Sequence, residues 1–432
     1  MKKTSAITGF YKLPIEEKIK RVKDFSDLTE EEIKAFHDPD VALNMEVCDS
    51  MVENVIYRYI LPVGVATNFI IDGKEVMIPM ATEEPSVIAA ASFAAKLARS
   101  SGGFQTASGT NVCTGQVIVV PPPNAVKPVQ AVLDIQEEIL ALANSTIPSM
   151  VARTGGAKKL DVRSVDTESG LMVVVDIHVD VGDSMGANCV TKVCEVTKEF
   201  IAGRLGFEPL MGILTNLSQK RLVFATAKWK CSELTTRDFD GYDVARRIVM
   251  AANLAKADPT RAATHRKGIM NGISAVTIAT GNDSRAVEAD IHAYAGMPGV
   301  NRALSQYRID DEQNLIGEIW LPITVGTLGG SINRSKLPAI ARKIMRVENA
   351  NDLARTIAAV GLAQNFAALR ALVTSGISAG HMKLHSRNIA SEAGATPDEL
   401  ETVAQKLIQA GSISVAAAKN VIHEMRCACN MT

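Results

Sequence analysis

Apolar and polar side chains alternate with a period of two from Leu171 to Val181. Val173, Val175, Ile177, Val179 and Val181 fall on one side, and Asp176, His178 and Asp180 on the other. The pattern predicts a strand with one face on a core and the other toward water. Around it, Gly115 to Val120 predicts a short strand stopped by three prolines, residues 128–143 carry helical apolar spacing, 160–165 reads as a strand, 188–204 as a helix and 210–214 as a strand. Strand, helix, strand, strand, helix, strand is the order of a ferredoxin-like, split βαβ unit.

The flanks follow a different rhythm. The first fifty or so residues are charged and helical in pattern, with Thr29 opening one helix and Asp38 and Pro39 closing it. Two strand-like runs then meet at Asp72 and Gly73, a hairpin signal. Pro85 is placed at the first turn of an alanine-rich helix that ends at Ser100 to Gly103. From 221 a strand (RLVFATAKWK) gives way to helices over 242–257, 352–374 and 378–393, and Gly376 and Gly380 punctuate a mobile C-terminal helical flap. The expected fold class is α+β: a large mixed α/β domain over 1–110 and 216–375, interrupted by the small ferredoxin-like domain at 111–215 and followed by the flap at 376–432.

A chain of 432 residues, 47% hydrophobic and 22% charged, has enough apolar surface for more than one core, and at 4% aromatic its packing falls to small aliphatic side chains. A net charge of −1 excludes a general electrostatic pull toward nucleic acid or an anionic membrane. Seven scattered cysteines lack the paired CxxC spacing of a structural zinc site and read as reduced thiols. Neither a signal-peptide pattern nor a run of about 18 uncharged apolar residues occurs, which predicts a soluble, cytoplasmic protein.

Candidate chemistry concentrates in a few segments. Thr264 to Asp283 reads THRKGIMNGISAVTIATGND. Its lysine and aspartate belong either to a glycine-rich turn with a structural ion pair or to a site that places an ammonium beside a reacting carbonyl, with the ATGND turn after a β-branched run returning Asp283 toward Lys267. GDSMGAN at 182–188 is either a tight turn or a set of backbone amides at a helix N-terminus suited to a pyrophosphate, although it is not GxGxxG. Glu83 and Glu84 before Pro85 are either helix caps or include a desolvated proton donor. His381 and His385 have the four-residue spacing of zinc-binding helices, but without the accompanying glutamate or a third ligand no metal is expected, and one histidine as a proton donor fits better.

Taken in order along the chain, ENVI at 53, EEPS at 83, AAKLARSSGGF at 94, GDSMGAN at 182, RAATHRKGIMNGI at 261, ATGNDSRAVEA at 279, VGTLGG at 325, GLAQN at 361 and GHMKLHSRNIA at 380 resemble the 3-hydroxy-3-methylglutaryl-coenzyme A (HMG-CoA) reductases in their soluble microbial, class II form. The resemblance implies a four-electron reduction of HMG-CoA to mevalonate and coenzyme A with two NAD(P)H, in isoprenoid precursor synthesis or in its reverse. It implies Glu84, Lys267, Asp283 and His381 as catalytic residues: Glu84 as proton donor, Lys267 at the oxyanion, Asp283 tuning both, and His381 protonating the departing thiolate. By the same likeness Ser86, Arg261, Asn271 and Asn365 grip the hydroxymethylglutaryl part, while Asp183, Ser184, Met185, Gly186, Ala187 and Asn188, with Val325 and Gly326, hold the cofactor. The large domain then takes the substrate and the small one the cofactor. The likeness further implies a homodimer with its active site between subunits, within a trimer of dimers.

Where NADH-preferring relatives carry an aspartate, this chain has Ser145, Thr146, Ile147 and Pro148, so no carboxylate at Thr146 or Ile147 repels a 2′-phosphate, and Arg153, Lys158 and Lys159 offer positive charge. NADPH, or use of both cofactors, is expected. Two other readings compete: another NAD(P)H-dependent carbonyl or acyl-CoA reductase, and a non-catalytic acyl-CoA binding protein. The presence of all four polar groups argues against the second.

Overall fold

The computed structural model describes residues 3–330, 332–374, 376 and 386–429. Its ten strands are β1 (Val63–Ile71), β2 (Lys74–Ala81), β3 (Phe104–Ser108), β4 (Val112–Val120), β5 (Gly156–Thr167), β6 (Gly170–Asp180), β7 (Glu208–Leu214), β8 (Leu222–Lys230), β9 (Ser305–Ile309) and β10 (Asn314–Pro322). They form a six-stranded sheet in the order β2-β1-β3-β8-β10-β9 and a four-stranded sheet in the order β5-β6-β4-β7. Among the pairings of these strands only β1/β3 is parallel.

The larger sheet is sealed by helices Val87–Ala98, Gly241–Ala257, Pro259–Ala279 and Ala350–Val373, which share one apolar core with it. Trp229 of β8 marks the centre: fully buried, it donates Nε1–H to the Ala94 carbonyl at 3.1 Å and stacks on Phe366 with centroids 4.0 Å apart. Ala350–Val373 is long and apolar enough to cross a membrane, but it packs on β8, β3 and β10 as the core helix of this sheet. At the N-terminus, Thr29 forms a capping box with Glu32 at the head of Glu30–His37, and this arm packs on Lys336–Met345.

The four-stranded sheet has the split βαβ order and is antiparallel throughout. Val173, Val175, Ile177 and Val179 point into its core as the alternation requires, under helices Gln136–Thr146 and Ala187–Leu205. Its other face is less open than the pattern suggests, because Thr114, His178 and Asp161 hydrogen-bond in a row across three strands and His178 is buried. The sheet is an insertion between β3 and β8, and its two ends meet: the Gly109 amide donates to the Leu222 carbonyl at 2.8 Å. Beyond 386, a helical stretch over 386–392 packs with Leu400–Gln409 and Val415–Cys429 in a separate small core.

Two local expectations are corrected. Pro85 does not open the alanine-rich helix, which begins at Val87 with Ser86 at its N-cap. The segment ISAVTIA is not a β-branched run leading into a turn; it is the last part of the 21-residue helix Pro259–Ala279. Tertiary packing overrides the local preference there. A Cβ on Gly272 would lie 3.0 Å from Val360 and one on Gly361 3.0 Å from Ile273, so the two long helices cross through their glycines.

Candidate active site

Helix Pro259–Ala279 starts where Asp258 accepts hydrogen bonds from the amides of Thr260 and Arg261, with Pro259 in the first turn. Its close crossing with Ala350–Val373 sets Arg261, Thr264, Lys267, Gly268 and Asn271 opposite Gln364, Asn365 and Ala368. Residues 84–86 close a third side. The cavity so formed has a volume of about 360 Å³.

Lys267 Nζ donates to Glu84 Oε2 at 2.9 Å across this cavity. The side chains remain 62% and 36% exposed, so the pair faces open space and is free to meet a ligand. Glu84 is therefore not a helix cap. Ser86 follows in the left-handed region at φ 74, a conformation that costs a serine energy, and its hydroxyl makes no capping bond; the strain is spent on turning Ser86 and Glu84 toward the cavity.

Behind the cavity lies a buried polar network. His265 Nε2 lies 2.7 Å from Ser305 Oγ and 3.0 Å from Asn365 Nδ2, and Asn365 Oδ1 accepts from Ser305 Oγ and Tyr307 Oη. Burial, with the charges of Arg261 and Arg266 nearby, pulls His265 down to about 4, so its ring is neutral at pH 7. Asn365, 1% exposed, spends its polar atoms inside this network. Gln364 differs: it is 5% exposed, lines the cavity, and its Oε1 has no hydrogen-bond partner. A buried acceptor left in that state is suited to a ligand donor. The sequence reading missed both His265 and Gln364, although helical spacing from Arg261 would have found the histidine.

Asp283 is elsewhere. It caps helix Ser284–Ala295, accepting from the amides of Arg285 and Ala286, and pairs with the Arg285 side chain. Twelve helical residues between Lys267 and Ala279 span about 18 Å, which is why the ATGND turn does not return Asp283 to the lysine of its own chain. His381 and His385 lie outside the described residues. Among the described residues no group of three or more His, Cys, Asp or Glu side chains is arranged to hold a metal.

The 182–188 segment forms a turn into helix Ala187–Leu205. Gly186 occupies its N-cap at φ 109 with no side-chain cap, so the first amides of a 19-residue helix have no partner within the helix. A Cβ at Gly186 would lie 2.8 Å from Cys113 Sγ, and one at Gly326 would overlap the Met185 amide nitrogen. The loop is thus laid directly on the 325–328 segment. Asp183 supports this contact: its carbonyl accepts from the Thr327 amide at 2.8 Å and its carboxylate from the Ala350 amide at 2.8 Å. Asn282 Oδ1 accepts from the Gly326 amide at 2.8 Å. Thr146 and Ile147 end helix Gln136–Thr146, and the connector after them runs close behind, since a Cβ on Gly155 would come within 2.6 Å of the Asp180 carbonyl. The free helix-terminal amides and the glycine-lined bed fit a dinucleotide pyrophosphate.

The family model described as hydroxymethylglutaryl-coenzyme A reductase matches residues 14–386. A 3-hydroxy-3-methylglutaryl-coenzyme A reductase of Archaeoglobus fulgidus is 46% identical over 425 residues, covering 98% of this chain and 95% of the relative. A probable reductase of the same name from Borreliella burgdorferi is 34% identical over 346 residues, 80% of this chain and 79% of that one. Among solved structures, the Streptococcus pneumoniae enzyme superposes with a TM-score of 0.81 at 36% identity, over 97% of this chain and 100% of its own. A class II form of the S. pneumoniae enzyme, bound to NADPH in open conformations, gives 0.80 at 37% identity over 85% and 100%.

Proposed function

The chain belongs to the hydroxymethylglutaryl-coenzyme A reductase family, and on that premise we propose how its residues divide the work. It is an NAD(P)H-dependent oxidoreductase of the mevalonate pathway. The reaction takes HMG-CoA, two NAD(P)H and two protons to mevalonate, coenzyme A and two NAD(P)⁺. The observation that carries the assignment of roles is the Lys267–Glu84 pair at 2.9 Å, facing a cavity that Ser86, Arg261, Asn271 and Gln364 also line.

Bound NAD(P)H supplies hydride to the carbonyl carbon, first of the thioester and then of the aldehyde. Lys267 holds the negative charge that develops on the carbonyl oxygen each time, a fixed ammonium in place of mobile water. The first tetrahedral oxyanion collapses with loss of the coenzyme A thiolate, which His381 protonates so that it does not re-add to the aldehyde. Glu84 gives its proton to the oxygen formed in the second reduction. Arg261 and Ser86 hold the substrate carboxylate end, and Asn271 orients the reacting part. Asn365 acts from behind by bracing His265.

Asp283 enters this site from a second copy of the chain. Its distance from Lys267 within one chain supports that, as does an uncovered apolar stretch in which Val52, Ile56, Tyr57, Tyr59, Ile60 and Val63 are more than half exposed. The dimer, grouped into a trimer of dimers, works in the cytoplasm. Mixing two inactive variants, Lys267→Ala and Asp283→Asn, tests the shared site. Refolded together, they regain about a quarter of wild-type activity if the aspartate crosses the interface, since half the dimers are mixed and each carries one intact site. No recovery returns Asp283 to its own subunit.

Residues 183–188, Val325 and Gly326 hold the cofactor, with Thr146 and Ile147 at the adenosine end. No carboxylate stands there to repel a 2′-phosphate, and exposed Arg153 on the connector and exposed Lys158 at the start of β5 offer positive charge, which favours NADPH or both cofactors. Arg153→Ala should raise the KM for NADPH severalfold and leave that for NADH unchanged; equal effects on the two would remove the preference argument.

A further inference from the structure

Arg221 sits in the linker that returns the chain from the small sheet to β8, and it is 3% exposed. Its guanidinium spans two segments from different parts of the molecule. Nη1 donates to the Met185 carbonyl at 2.9 Å and touches Cys113 Sγ at 3.4 Å; Nη2 donates to the Val325 carbonyl at 2.8 Å. Met185 belongs to the loop after β6, and Val325 to the strand exit after β10. The backbone of Arg221 is fixed as well, its amide donating to the Ser218 carbonyl at 2.9 Å and its carbonyl accepting from Ile323 at 3.2 Å.

A buried guanidinium needs compensation, and Asp290 supplies it from within electrostatic reach. This carboxylate, fully buried, accepts from the Ser218 amide at 2.7 Å and from Thr324 Oγ1 at 2.6 Å. Ser218 belongs to the linker that carries Arg221, and Thr324 adjoins Val325, one of the two residues the fork joins. The acid therefore balances the charge and fixes the approaches to the fork.

We infer that Arg221 is a positioning residue for the cofactor: its planar fork ties the 183–188 loop to the 325–328 segment and so sets the width and register of the bed on which NAD(P)H lies. The inference rests on the reading of those two segments as the cofactor site. A lysine cannot replace it, because one ammonium on a flexible stem does not hold two carbonyls in fixed relation. Nor does Arg221 touch the cavity that holds Lys267, so its effect belongs to cofactor binding and not to substrate binding.

The test compares Arg221→Lys, which keeps the charge opposite Asp290, with Arg221→Gln, which loses it. Initial rates are measured with NADPH varied at saturating HMG-CoA and the reverse, and NADPH binding is followed directly by its fluorescence. The expected result is a KM for NADPH raised about tenfold in Arg221→Lys and about a hundredfold in Arg221→Gln, the cost of misplaced contacts, with the KM for HMG-CoA within about twofold and fluorescence titrations weakened in parallel. Equal rises in both KM values mean a general structural role and overturn the inference, as does an unchanged KM for NADPH in folded Arg221→Lys. Gly326→Ala, which disturbs the Met185 amide directly, separates the two readings. If it weakens NADPH binding and Arg221→Lys does not, the cofactor bed stands and the positioning role falls. If neither weakens it, the bed itself is misassigned.

Discussion

Around Lys267 the working groups are side chains that face an open cavity, whereas around residues 183–188 they are main-chain groups held from behind by side chains that face only protein. The lysine and Glu84 are 62% and 36% exposed. Arg221 and Asp290, behind the 183–188 loop and the 325–328 segment, are 3% and 0% exposed. On the proposed assignment, the first region keeps its charges accessible to answer charge that appears on a substrate oxygen and then disappears. The second would hold one long ligand in one register twice per turnover, and backbone groups fixed by a buried fork can do that without side-chain entropy to lose.

The largest effect should come from the exposed side. Lys267→Ala is expected to lower kcat by about three orders of magnitude, at the upper end of what removing a preorganised oxyanion donor costs, for HMG-CoA and for free mevaldehyde alike. A loss confined to KM for NADPH would break the comparison, since it would place the lysine with the cofactor. His381→Gln should spare mevaldehyde reduction while slowing the thioester step by about a hundredfold, within the range of a lost general acid. Equal losses in the two assays would remove the thiolate from its role.

On the backbone side, Gly326→Ala forces a Cβ onto the Met185 amide. It should raise KM for NADPH about tenfold while moving kcat less, as expected for binding lost equally in ground and transition states. A kcat effect equal to that of Lys267→Ala would mean that the two regions are not separable.

The smallest effects concern stability, and there the two regions have opposite signs. His265, behind the cavity, is pulled from 6.5 to about 4 by burial. In the unfolded chain it gains a proton as pH falls below 6.5, while the folded one does not, so its contribution is present above 6.5 and is lost as pH falls toward 4. Asp290, in the second region, is pushed from 3.8 up to about 6 by burial, against the hydrogen bonds it accepts. Its folded form keeps the proton longer, so its contribution is present below 3.8 and is lost as pH rises toward 6. Each amounts to about 3 kcal/mol across its window, and between pH 4 and 6 they oppose one another. Urea midpoints should therefore rise more steeply with pH from 4 to 6 in Asp290→Asn than in the parent, and less steeply in His265→Gln. Parallel slopes in all three proteins would refute the opposition.

Much of the frame was readable from residue order. The alternation of Val173 to Val179 needed no partner to be seen, because a half-buried strand writes its face into every second position. Helix Pro259–Ala279 was harder, since its Thr277 and Ile278 argue for a strand and only the crossing at Gly272 and Gly361 decides otherwise. The family motifs named Lys267 and Glu84, but their contact joins residues 183 apart and no local pattern carries it. Arg221 and Asp290 left no trace at all. Their importance lies in burial, and a charged residue, on a linker like Arg221 or on a helix like Asp290, looks the same in sequence whether it meets water or protein.

The place where the small sheet leaves and rejoins the chain also governs how the protein assembles. Phe104 of β3 pairs with Ala227 of β8, and the entire small unit lies between them. An unfolded insert of that length would have to be closed as a long loop, whereas a folded one, with Gly109 and Leu222 already bonded, presents β3 and β8 to each other as near neighbours. The centre of the large sheet is therefore expected to form after the insert has folded. In pulse-labelled hydrogen exchange the amides of β4 to β7 should gain protection before those of β3 and β8, and a reversed order would show that the large sheet nucleates alone.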